Sequence, residues 1–143
     1  VQIMNSHSID ERFASAGIIV GRIMLALYFL VPGIMKFVSW DMHVALMERH
    51  QMVLIPLLLA SAGVSQIVAG ICLILNRYTS VIASLLAMMV LLINVTLHDF
   101  WHFEGLEAAH EMQNFIKNLG IFAGLLVLAG HSHLKHLGNN GFR

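Results

Sequence analysis

The stretch Asn94-Val-Thr-Leu-His-Asp-Phe-Trp-His-Phe-Glu104 holds the densest chemistry in the chain, and it ends a long uncharged apolar run. If a helix continues through it, Asn94, His98 and His102 fall one turn apart on one face, with Trp101 beside them and Asp99 on the flank. A histidine next to a carboxylate can relay protons or ligate a metal, because the carboxylate sets the tautomer and adjusts the basicity of the ring. His98 and Asp99 are therefore candidates for proton handling. The competing reading is an interfacial belt, in which Phe100, Trp101 and Phe103 anchor the helix and the histidines meet water and head groups; His102 fits that belt better. Lys36 closes one apolar run in Pro32-Gly-Ile-Met-Lys36-Phe37, and Lys117 opens another at the same depth. Both are placed to act as charge partners of Asp99, in an ion-pair cluster that either tunes chemistry or only locks three helices together. Pro32 predicts a kink that re-aims Lys36, since its ring clashes with the carbonyl of Tyr28.

Uncharged polar residues within the apolar runs suggest a second chemistry. Gln66, with Ser65 beside it, and Asn94 can hydrogen-bond a quinone carbonyl, with Trp101 stacking on the ring or closing the site. More often such residues tie helix to helix for roughly 1 kcal/mol or less. A metal is the third option: His98, His102 and His110 with Glu111, and His43 and His50 in another segment, offer imidazole and carboxylate ligands suited to zinc, iron or copper. No compact ligand motif such as HExxH accompanies them. His131, His133 and His136, beside Lys135, read as a terminus that touches head groups. The single cysteine, Cys72, excludes an internal disulfide framework and reads as a packing residue.

The elements that must position these groups are long and apolar. Four runs, at about 17–38, 52–75, 79–98 and 115–130, carry no charge except Arg22, Lys36 and Lys117, with Pro32 inside the first. A bilayer core of roughly 30 Å requires about 20 helical residues, so the fourth run is the shortest fit. Backbone groups in lipid must be satisfied within helices or a closed barrel, and the runs lack the alternation of barrel strands. The expectation is an all-α integral membrane protein: one membrane domain over 1–143, an up-down-up-down bundle of four transmembrane helices with both termini on one side. The loops at 39–51 and 99–114 then share the other side. In the first of these, Trp40, Val44 and Met47 share a helical face, which predicts a short helix lying flat as a lid beside His98 and Asp99 or as a contact with another membrane subunit.

Composition agrees. Of 143 residues, 58% are hydrophobic and 11% charged, against about 25% charged in soluble domains. Eight Lys and Arg balance eight Asp and Glu, and no basic stripe exists to bind nucleic acid. Arg12, Arg22, Arg77, Lys135 and Arg143 on the side of the termini outnumber Lys36, Arg49 and Lys117 opposite, so the positive-inside rule favours cytoplasmic termini. The apolar stretch in 13–38 exceeds a signal-peptide core of about 7–15 residues and is expected to stay in the mature protein, while the Val1 start points to a native beginning upstream. Small residues at Ser61, Ser65 and Ala69, and at Gly120 and Gly124, predict close helix packing; the Gly120 face also suits a homo-oligomer.

Gly21-Arg22, Gly33-Ile-Met-Lys36-Phe37, His98-Asp-Phe-Trp101 and Gln113-Asn-Phe-Ile-Lys117-Asn118-Leu-Gly120, taken in order, resemble the DoxX family of small bacterial membrane proteins, from about Gly17 to Gly130. The resemblance implies a four-helix bacterial inner-membrane protein, with Arg22, Gly33, Lys36, His98, Asp99, Trp101, Lys117 and Asn118 at signature positions. Its namesake is similar to a quinone-linked subunit of thiosulfate:quinone oxidoreductase, and other members resemble partners of redox or thiol-stress systems. What this implies is an accessory subunit that works with other membrane subunits and guides a quinone. No haem, flavin or iron–sulfur motif stands in the sequence, so on this reading electrons come from a partner chain. Many relatives carry a glutamate where this chain has Gln66, which favours hydrogen bonding over proton transfer there. A purely structural assembly subunit and an outer-face histidine metal protein are the alternatives.

Overall fold

The computed structural model describes residues 2–140, with side chains described over 9–138. Five α-helices follow one another: α1 Gln2–Val38, α2 Trp40–Arg49, α3 Ile55–Ile74, α4 Thr79–Leu97 and α5 Gly105–Asn140, with a 3₁₀ turn at Phe100–His102 between the last two. Four of them are long and apolar enough to cross a membrane. At most 33% of the most apolar window of any of these four is buried inside the protein, so most of their apolar surface is left for lipid. The bundle of four antiparallel spans is as expected, and it puts the beginning of α1 and the end of α5 on one side.

The outer helices are longer than the sequence reading placed them. The stretch 99–114 is not a loop: α5 begins at Gly105, because the residues from Leu106 to Met112 contain strong helix formers and no breaker. Gly105 itself sits at φ +61°, a left-handed conformation that reverses the chain and costs glycine little. His110 and Glu111 are therefore held on a rigid helix. Pro32 is accommodated inside α1, which continues to Val38.

Two tight pairs make the bundle. α1 packs along α3 and α4 along α5, while α3–α4 and α1–α5 touch more lightly. The core that joins the pairs contains Ala26, Phe29, Leu73, Ala83, Leu86, Val90 and Leu125, all at most 4% exposed. Close approach of α1 and α3 rests on glycines other than those the small-residue spacing singled out. A Cβ on Gly33 would stand 3.0 Å from both Gln66 Cβ and Ile67 Cγ1, and one on Gly70 would stand 3.0 Å from the Ala26 carbonyl oxygen. Ser61 and Ser65 are exposed, and Gly120 and Gly124 have open space where a Cβ would go, so neither spacing packs helices within this chain apart from buried Ala69.

Both turns at the ends of α2 and α3 have the same solution. Met52 N–H donates to the Met47 carbonyl and Arg77 N–H to the Cys72 carbonyl, with Gln51 and Asn76 at φ near +53°. These six-to-one bonds satisfy carbonyls that a helix end otherwise leaves orphaned. The second turn aligns α4 against α3, and Thr79 Oγ1 bonds Asn76 Oδ1 at 2.9 Å within it.

Candidate functional site

The polar groups converge at the end of the bundle opposite the termini, but in a different arrangement from a single helical ladder. α4 stops at Leu97. His98 and Asp99 leave helical geometry, and the 3₁₀ turn closes with His102 N–H on the Asp99 carbonyl. The expected row of Asn94, His98 and His102 is thereby broken, since a polar His-Asp pair followed by three aromatics turns over at the interface. The break sends His98 toward α5, where Nδ1 lies 2.7 Å from Glu111 Oε2. Asp99 swings to the other side and meets two histidines.

His102 Nδ1 bonds Asp99 Oδ2 at 2.7 Å, while His50, from the end of α2, places Nδ1 3.0 Å from Asp99 Oδ1. The second contact has ion-pair distance but not hydrogen-bond alignment, so Asp99 Oδ1 and His50 Nε2 remain buried without a hydrogen-bond partner. Exposure falls along the row from 67% at the His102 side chain to 16% at Asp99 and 2% at His50. The row therefore runs from solvent into the protein. Arg49 on α2 pairs with Glu107 on α5 and stands 5.8 Å from the centre of the Phe103 ring. With Trp40 stacked on Phe37, these contacts tie the short helix to the outer ends of both pairs.

No lysine reaches Asp99 among the described residues. Lys36 Nζ instead donates to Gln66 Oε1 at 2.9 Å, made possible by the close passage of Gly33. The expected cluster of Lys36, Lys117 and Asp99 is thus replaced: the α1–α3 groove supplies Lys36 with a nearer acceptor, and histidines occupy the carboxylate. Lys36→Met or Gln66→Leu alone leaves a partly buried partner unsatisfied, at an expected cost of about 1 kcal/mol. The double variant is expected to recover most of that in detergent-micelle unfolding; strictly additive losses would mean the two side chains do not act together.

A buried polar chain crosses the middle of the outer half. Tyr28 Oη donates to Asn118 Oδ1 at 3.0 Å, Asn118 Nδ2 to Asn94 Oδ1 at 3.1 Å, and Asn94 Nδ2 to the Phe115 carbonyl at 3.1 Å. Asn94 is 1% exposed and Asn118 8%. Beside this chain a cleft of about 540 Å³ opens between α1 and α5, lined by Tyr28, His98, Asn114, Lys117, Asn118 and Gly120 among others. Neither Gln66 nor Trp101 lines it: Gln66 is committed to Lys36, and Trp101, half exposed, packs its ring against Phe100 and Phe115. Tyr28 and Glu111 were not weighted for this cleft by sequence. The signal available was the spacing of Glu111, Asn114 and Asn118 along one face of α5.

His98, His102 and His110 do not converge. His98 is taken by Glu111, His102 by Asp99, and His110 approaches Glu111 only to 3.9 Å. Among the described residues no three His, Cys, Asp or Glu side chains form a group that could hold a metal ion.

No curated protein and no solved structure matches the chain. The DoxX family model matches residues 17–99, more than half of the chain, from the first span through His98 and Asp99 and short of α5. With four helices of membrane-crossing length and composition, the chain is a multi-pass inner-membrane protein that belongs to the DoxX family.

Proposed function

We propose that the chain is an accessory subunit of a membrane redox complex and that its α1–α5 cleft receives the head group of an isoprenoid quinone from the bilayer. The observation that carries this reading is the polar lining of the cleft, in which the Lys117 ammonium and the His98 imidazole share one cavity with Tyr28 and Asn118. A bound quinone takes up two electrons, from a redox-active partner subunit, and two protons, to become a quinol. Lys117 donates a hydrogen bond where negative charge grows on a carbonyl oxygen, which lowers the energy of that charge most in a water-poor site, while Tyr28, whose hydroxyl proton is held by Asn118, forms the cleft wall. Glu111 holds Nδ1 of His98, leaving Nε2 as the nitrogen that gives or takes a proton. Asn94 acts one layer behind, by fixing Asn118. Termini in the cytoplasm complete this topology.

Titration of the full chain in detergent with a short-chain benzoquinone, read by quenching of tryptophan fluorescence, tests the reading. Saturable binding is expected, with the Kd raised about tenfold or more by Lys117→Met, a loss of about 1.4 kcal/mol. Absence of saturable binding, or binding indifferent to both Lys117→Met and His98→Ala, would overturn it.

A further inference from the structure

At the end of the bundle that holds the termini, α1 and α5 run on past the Asn76 turn. Between them lies a groove of about 530 Å³, whose polar lining includes Arg22, Asn76, His131, Ser132 and Lys135. A second cavity of about 230 Å³ shares Arg22, Leu128 and His131 with it and extends toward the middle of the membrane along Gly17, Gly21, Leu25 and Val127. The floor of this slot is open, since a Cβ on Gly17 or Gly21 would meet nothing within 4 Å. The first cavity therefore sets Arg22 and Lys135 beside apolar residues, and the second, which shares part of its wall, is lined mostly by apolar residues.

Arg22 sits at the junction. Its Nε is buried and has no hydrogen-bond partner, and none of the ion pairs among the described residues includes Arg22. Arginine stays charged and offers five donors in a fixed fork, so an acceptor from outside the chain is the group missing here. Arg49, at the opposite end of the bundle, has its carboxylate in Glu107. Glu11 is the carboxylate in the groove lining, but it lies eleven residues from Arg22, roughly 16 Å along α1.

We propose that this groove and slot form a binding site for an anionic phospholipid, with the phosphodiester held by Arg22, His131 and Lys135 and one acyl chain laid along Gly17 and Gly21. The phosphate matches the arginine fork, and the depth matches the head-group level, because Arg22 shares its cavity with the turn between α3 and α4. A free phosphate would satisfy the cations and leave the slot unused; the lipid satisfies both. The site is at the opposite end from the quinone cleft and is independent of it.

The test is native mass spectrometry of the delipidated full chain with phosphatidylglycerol, phosphatidylcholine and soluble glycerol phosphate. Phosphatidylglycerol is expected to be retained about tenfold better than phosphatidylcholine, because basic residues at the head-group level favour net negative lipid. Arg22→Gln is expected to erase this preference, and Gly21→Leu, which fills the slot, to weaken retention of both lipids. If Arg22→Gln does not fold, a variant carrying His131→Gln and Lys135→Gln makes the same measurement. Equal retention of the two lipids by the unaltered chain, or a preference that survives loss of the cations, would overturn the proposal. Displacement of the lipid by an equal concentration of glycerol phosphate would also overturn it, in favour of a soluble anion.

Discussion

Gly70→Leu is expected to separate α1 from α3. A Cβ at this position would stand 2.9 Å from Leu30 Cβ, 3.0 Å from the Ala26 carbonyl oxygen and 3.2 Å from Leu30 Cα. Two of these are backbone atoms, which cannot rotate aside as a side-chain tip would. The helices must move apart, and fully buried Leu73 and the Lys36–Gln66 bond lie along the same interface. Gly70→Ala is expected to cost about 1–3 kcal/mol, and the leucine more. Gly124→Ala provides the opposite sign: it meets open space, so only the gain in helix propensity over glycine, roughly 0.5–1 kcal/mol, acts. Unfolding of each variant in mixed micelles decides the matter. Equal effects at the two glycines would show that helix approach is not what Gly70 provides.

Asn94→Leu is expected to produce the largest loss among the polar residues. Leucine keeps the branched shape but is larger, so some overpacking adds to the cost of what remains: Asn118 Nδ2 loses its acceptor and the Phe115 carbonyl its side-chain donor, at a site 1% exposed. Each unsatisfied buried group costs about 1–3 kcal/mol in soluble proteins. Interhelical hydrogen bonds in membranes average nearer 0.6 kcal/mol, so about 2 kcal/mol in total is the expected result. Tyr28→Phe removes only the outermost link and is expected to cost about half as much. Combined with Asn94→Leu, it is expected to add less than its own loss, because Asn118 has by then lost its fixed orientation. The same variants check the quinone reading from a second direction, since a freed Asn118 loosens the wall of the α1–α5 cleft and is expected to raise the Kd for quinone.

Membrane class and number of spans were legible in the sequence. Each depends on local composition: a helix in lipid satisfies its own backbone, so twenty apolar residues suffice to announce it. The short helix at 40–49 was legible for the same reason, from one amphipathic face. Where α4 ends and α5 begins was harder to read, because the turn at 98–104 is rich in aromatics and histidine, which neither forbid a helix nor demand one. Which partner each charged group takes was not legible at all. Lys36 and Asp99 stand at a similar depth by residue count, yet one bonds Gln66 and the other lies between His50 and His102. That choice is made by which helices pair: Gly33 and Gly70 bring α1 against α3, and α4 is left to α5. Hydrogen bonds are decided over distances of about 3 Å. Helical periodicity fixes the face and depth of a side chain, and only the packing of four helices brings its partner within that reach.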